Sequence, residues 1–234
     1  MSLAESSKTF LTYIEDWVEN RAVLTLDEAL PEPENAAIIS TDVINGFLYE
    51  GPLASPRVAQ IDKPITDLMK AAWSCGMRDI LLVQDAHSDS SPEFEAFGQH
   101  VIGGTHQAEA TDRIKNLHFY DQLTTIYKDS IHVALNNGFD EWMCARRHLK
   151  TFIAVGDVTD LCLYNLATYL RFWANAYHEE WRVIVPANCT QTWHLSVEDA
   201  RDAPAMPHHG DMLHATFLYH MALNGIEVVK EIKI

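Results

Sequence analysis

The chain has 234 residues, 47% hydrophobic and 21% charged, a composition that calls for a packed core and excludes a disordered or fibrous chain. Seventeen Lys and Arg against 33 Asp and Glu leave a formal charge of −16, so no basic stripe is on offer for nucleic acid or anionic lipid. No apolar run reaches the roughly 20 residues that cross a bilayer, and four scattered cysteines without a Cys-x-x-Cys pair suit reduced thiols rather than a disulfide framework.

In chain order, the first expected element is a helix over residues 7–21, with Phe10, Ile14, Trp17 and Val18 at helical spacing. A Pro-rich stretch, residues 30–36, follows it, so residues 1–35 read as an N-terminal helical extension and 36–234 as the main domain. Strands are expected at 37–41, 79–84, 122–127, 151–155, 181–186 and 226–232. Helices are expected at 57–76, 139–150, from near Thr159, and at 210–224, the last closed by Gly225. Apolar strands alternating with amphipathic helices give an α/β class: three layers, αβα, around a doubly wound, mostly parallel six-stranded sheet. Ligands of such sheets bind beyond the carboxyl ends of the strands.

The residues at those ends are Asp42, then Asp85 and His87, then Lys128, then the run Gly156-Asp-Val-Thr-Asp-Leu-Cys162. Singly each has a plain structural reading: a turn cap, a solvated charge, a small buried hydrophobe. Together they form a chemical set. Cys162 would sit in the first turn of a helix, where the dipole and free N–H groups lower a thiol pKa. Asp42 could take its proton and Lys128 could orient the pair, while the tight turn brings N–H groups near the sulfur. Asp85, His87, Glu93 and His100 offer an N and O donor set for a divalent metal, Zn²⁺ with Fe²⁺ or Mn²⁺ as alternatives. The plain alternative is a solvated loop.

These motifs resemble those of the isochorismatase-like cysteine hydrolases, and among them the nicotinamidases. The first-strand motif Asp-Val-Gln-Asn-Asp-Phe is met here by Asp42-Val-Ile-Asn-Gly-Phe47, the catalytic Lys by Lys128, and the nucleophile motif Gly-Val-Ala-Thr-Asp-Tyr-Cys by Gly156-Asp-Val-Thr-Asp-Leu-Cys162. The resemblance runs from about residue 36 to the end and implies a Rossmann-like topology. It further implies Asp42 as general base, Lys128 as its partner and Cys162 as nucleophile. It implies a cis peptide at Asp157–Val158 and an oxyanion hole from the Val158 and Cys162 N–H groups. The metal would be held by Asp85, His87, Glu93 and His100, with Phe47 and Trp142 as candidate pocket walls, though Trp142 also suits a core. Ile44, Gly46 and Leu161 depart from the usual Gln, Asp and Tyr and border the pocket.

The function so implied is hydrolysis of a small neutral carboxamide, nicotinamide first, through a thioester, in a cytoplasmic homo-oligomer without nucleic-acid or membrane partners. The alternatives are the same chemistry on an N-carbamoyl or ureido compound or on isochorismate, and a catalytically silent binding protein. Cys75, Cys144 and Cys189 read as structural, and His208-His209 as a cap or a solvated pair before the last helix.

Overall fold

Short apolar runs become strands here because both faces of the sheet are covered. The computed structural model describes residues 2–202 and 205–234. Its strands are β1 (Val23–Thr25), β2 (Ala36–Thr41), β3 (Asp79–Asp85), β4 (Thr124–Lys128), β5 (Thr151–Asp157), β6 (Arg182–Pro186), β7 (Thr190–Gln191), β8 (Glu227–Val229) and β9 (Glu231–Lys233). The helices are α1 (Leu3–Glu19), α2 (Leu26–Ala29), α3 (Asn45–Leu48), α4 (Asp62–Ser74), α5 (Phe94–Phe97), α6 (Asp112–Lys115), α7 (Phe139–Cys144), α8 (Cys162–Tyr177) and α9 (Gly210–Leu223).

Six strands run in the order β4-β3-β2-β5-β6-β8, and every pairing is parallel. The sheet has seven strands rather than the six expected. β6 pairs with the first half of β5, and the two-residue β7 takes over at Gly156 and Asp157. The chain moves outward from β2 to β4, then returns to β5 on the other side of β2. The switch point therefore lies between the carboxyl ends of β2 and β5.

Alternate residues of each strand feed two cores. Ile38, Ile80, Leu82, Ile153 and Val155 pack under α4, whose Ile65, Leu68, Met69 and Ala72 repeat at helical spacing. Ala37, Ile39, Leu81, Val83, Phe152 and Ala154 face the opposite side, against Phe139 and Trp142 of α7 and Leu163, Leu166 and Leu170 of α8.

Several expected elements differ at their bounds: the first helix runs Leu3–Glu19 rather than 7–21, and β4 starts at Thr124 after a 3₁₀ turn, Tyr120–Gln122. Three further differences have a visible cause. The helix at 57–76 starts as a 3₁₀ turn, Val58–Ile61, before α4; Pro64 has no N–H to bond back into that turn. The helix at 139–150 stops at Cys144, because the chain is drawn away to β5 by Arg146 on Asp79 and by the Lys150 N–H on Asn35 O. The last strand breaks at Lys230, whose N–H donates to Ala22 O at 2.8 Å. The chain there leaves β6 and pairs, as β9, with β1.

The N-terminal segment is tied down by this second sheet and by α1, which lies on α9 with Phe10, Tyr13 and Trp17 around the Tyr219 ring. No helix among the described residues is long and apolar enough to cross a membrane.

Candidate active site

Four residues past or at strand ends converge at the switch point. Asp42 follows β2 with φ +57°, a left-handed backbone rare outside Gly, Asn and Asp. Its N–H donates to Val83 O, and its Oδ1 accepts from the Asp85 N–H at 2.7 Å. Asp85 and Lys128 are register partners closing β3 and β4. The Lys128 ammonium lies 2.5 Å from Asp85 Oδ1, 3.0 Å from Asp42 Oδ2 and 3.4 Å from Cys162 Sγ. Asp42, Lys128 and Cys162 are 1%, 2% and 6% exposed.

Close approach of β5 to β2 makes this possible. Gly156 has φ +114°, and a Cβ there would stand 2.0 Å from Thr41 O, so only glycine fits. The Asp157–Val158 peptide is cis. Cys162 is the first residue of α8, which has no side-chain N-cap. The Val158 and Cys162 N–H groups find no acceptor among the described residues, which leaves them for a ligand.

The electrostatics follow from burial. Burial and the nearby Asp85 push Asp42 up to about 6, with Lys128 opposing. Burial lowers the Lys128 ammonium's hold on its proton, but Asp42 and Asp85 outweigh it and keep the ammonium charged. The sequence suggests a thiol lowered by the helix dipole; burial instead pushes Cys162 well up, against the pull of Lys128. The resting group is a thiol with a carboxyl group and a cation beside it.

Asp85, His87 and His100 place one donor atom each within 4.8 Å of one another. His87 Nδ1–H donates to Asp129 Oδ1 at 2.7 Å, and His100 Nδ1–H to Gly98 O at 2.8 Å. Each Nε2 is thereby turned inward, the orientation a metal ligand needs, and the buried His87 Nε2 has no hydrogen-bond partner. Glu93 stands at the edge, its Oε2 4.0 Å from His87 Nε2, with Oε1 accepting from the Ile131 N–H. Two imidazoles and one or two carboxylates fit Zn²⁺, Fe²⁺ or Mn²⁺ with positions left open. Burial opposes protonation of His87, but Asp85, Asp129 and Glu93 outweigh it and raise the ring to about 9; so dense an acidic surround also suits a dication.

A cavity of about 370 Å³ opens over Cys162. Phe47 lines it and lies 5.8 Å from the His100 ring. Trp142 does not. It is packed in the core beneath the sheet with Arg146 over its ring, because α7 lies on the face away from the cavity. Further contributors were not read from the sequence. Asp129 orients His87 and looks in sequence like one more loop carboxylate. Trp193, His194 and Leu195 form a wall in an irregular stretch. That wall is fixed by paired Leu195 and His208 backbone bonds, and by His208, whose Nε2 donates to Asp160 Oδ2 at 2.8 Å while its ring stacks on Trp193. His208 is thus buried, whereas His209 caps α9.

The Isochorismatase domain family model matches residues 36–207. Among curated proteins none matches the chain. Solved structures of similar fold include N-carbamoylsarcosine amidase from Thermoplasma acidophilum (TM-score 0.62, 19% identity, 86% of this chain and 98% of that one). The pyrazinamidase/nicotinamidase of Streptococcus mutans is similar too (TM-score 0.63, 21% identity, 83% and 99% covered). So is the nicotinamidase of Bacillus subtilis (TM-score 0.63, 22% identity, 83% and 99% covered).

Proposed function

The chain belongs to the isochorismatase family of hydrolases, and from that premise we propose that it cleaves the C–N bond of a small neutral carboxamide through a Cys162 thioester. The observation that carries this reading is one buried contact set, Lys128 Nζ within 3.4 Å of Cys162 Sγ and 3.0 Å of Asp42 Oδ2. Asp42 takes the Sγ proton as sulfur attacks the carbonyl carbon. A base held near neutrality suits that transfer, and a thiol kept protonated until then is protected from stray oxidation. The oxyanion rests on the Val158 and Cys162 N–H groups. As the C–N bond breaks, Asp42 returns its proton to the leaving nitrogen, which departs as ammonia. Asp42 then deprotonates water, the hydroxide attacks the thioester, and the C–S bond breaks with the sulfur reprotonated from Asp42. Lys128 stays charged throughout and holds both carboxylates in place.

A divalent ion on Asp85, His87 and His100, with Glu93 beside them, would supply an orienting Lewis-acid contact to a substrate lone pair. Nicotinamide, with its ring nitrogen, is the carboxamide that would use it most directly. A dianionic substrate such as isochorismate fits poorly. No Lys or Arg lines the cavity among the described residues, whereas Asp42, Asp85, Glu93 and Asp157 do.

The reading is tested by ammonia release from nicotinamide, pyrazinamide and N-carbamoyl compounds, with metal analysis of the same protein. Cys162→Ala should abolish acid formation, a fall of at least about 10⁴-fold, while circular dichroism stays unchanged. Undiminished turnover by that variant would sink the assignment.

A further inference from the structure

Asp157 has no part in the chemistry above, and its position is hard to account for without a ligand. It closes β5, is 0% exposed, and lines the cavity that holds Cys162. Both of its carboxyl oxygens lack a hydrogen-bond partner among the described residues. Two donors close to it are engaged elsewhere. Thr41 Oγ1 donates to the Asp157 main-chain carbonyl, and Lys128 is held between Asp42 and Asp85. An unpaired buried carboxyl is costly, and the motif quoted above has a valine at this position.

Burial, with Asp42 and Asp85 nearby, pushes this carboxyl well above its usual range, against the pull of Lys128. That direction favours the protonated carboxyl, which has an O–H donor beside a C=O acceptor. That pair complements the C=O and N–H of an amide edge. The same lining includes the apolar Phe47, Val58, Leu161 and Leu195.

We propose that Asp157 is a specificity-determining residue whose carboxyl receives a second amide-type group of the substrate, donating to its carbonyl and accepting from its N–H. The substrate is then a neutral carboxamide that carries a second amide-type group, which ranks such a compound ahead of nicotinamide at this site. This rests on the carboxamide reading of the site and deepens it. A site built to pair a polar group rejects the apolar isostere strongly, because its own buried group is left unpaired.

The test compares malonamide with isovaleramide, its isostere with an isopropyl group in place of the second amide. Binding is measured by calorimetry on the Cys162→Ala background, and turnover by ammonia release from the chain with Cys162 intact. Malonamide should bind at least about tenfold more tightly than isovaleramide. Asp157→Val should erase or reverse that preference, and Asp157→Asn, which keeps a donor and an acceptor, should retain it. Asp157→Val should also raise the urea midpoint, so a lost preference cannot be charged to misfolding. Equal binding of the two amides overturns the inference, as does a preference that survives Asp157→Val, which would leave the carboxyl to an ordered water. A binding preference without ammonia release from either amide would count against the carboxamide reading while supporting the role of Asp157.

Discussion

At the scale of single residues, charge placement decides behaviour more than residue identity does. Lys128 is shared by Asp42 and Asp85, so breaking the set by removing one partner leaves an uncompensated buried charge. Histidines sort the same way. His87 is raised to about 9 by carboxylates around it, whereas His214 is pushed down to about 4 by burial, with Arg57 assisting. His214 Nδ1 lies 2.8 Å from Thr159 Oγ1, which also meets Thr190. The folded value of His214 lies below its ordinary 6.5, so the unfolded chain binds the extra proton between those limits. Its contribution to stability is complete above about pH 6.5 and is lost as pH falls toward 4. His214→Gln should flatten that part of the stability profile by about 2 kcal/mol, read as the difference between urea midpoints at pH 7 and pH 4.5. An unchanged slope would place the titration elsewhere.

At the scale of elements, the site is assembled by segments that meet at the switch point, and their fit is tight at α3. A Cβ on Gly46 would stand 2.6 Å from Val101 Cγ2 and 3.1 Å from Gln107 Cβ and O. Val101 directly follows His100 and has φ +43°, so pressure on it passes to a candidate metal ligand. Gly46→Asp, which restores the usual residue of the motif, should weaken zinc binding at least about tenfold and cost about 1–3 kcal/mol of stability. A zinc titration and urea unfolding read the two effects, and unchanged zinc affinity would show that the α3 contact does not set the ligand geometry. The same scale explains what was legible in the chain. Asp42, Asp85, Lys128 and Cys162 could be found because each ends or follows a strand with a clear apolar signature, and parallel sheets put those ends together. Asp129 was hidden because its importance lies in where its side chain points. Trp193 and Leu195 were hidden because an irregular stretch has no period. β1, β7 and β9 are two or three residues long, too short to show alternation, and exist only because a neighbouring edge is there to pair with.

At the scale of the whole molecule, the segment before residue 36 lies outside the family match yet is built into the fold at the other end of the chain. β1 pairs with β9, Lys230 reaches Glu19 Oε2 at 2.9 Å, and the aromatic residues of α1 surround Tyr219 on α9. Ile14 is buried, and Trp17, Val18 and Leu24 pack against the cores. Leaving those side chains without partners should cost about 3 kcal/mol or more, at roughly 25 cal/mol per Å² of apolar surface. The cavity wall, however, is fastened at the opposite end of α9. There the Gly210 N–H donates to His194 Nδ1, and Arg57 bridges Asp211 and Gln191. Stability and catalysis should therefore separate on truncation. A chain lacking residues 1–25 is expected to unfold at a clearly lower urea concentration while keeping kcat/KM within about threefold at 15 °C, well below its transition. If kcat/KM falls in step with stability, then α1 reaches the site through α9, and the N-terminal segment is part of the catalytic architecture rather than a fastening for the C-terminal strand.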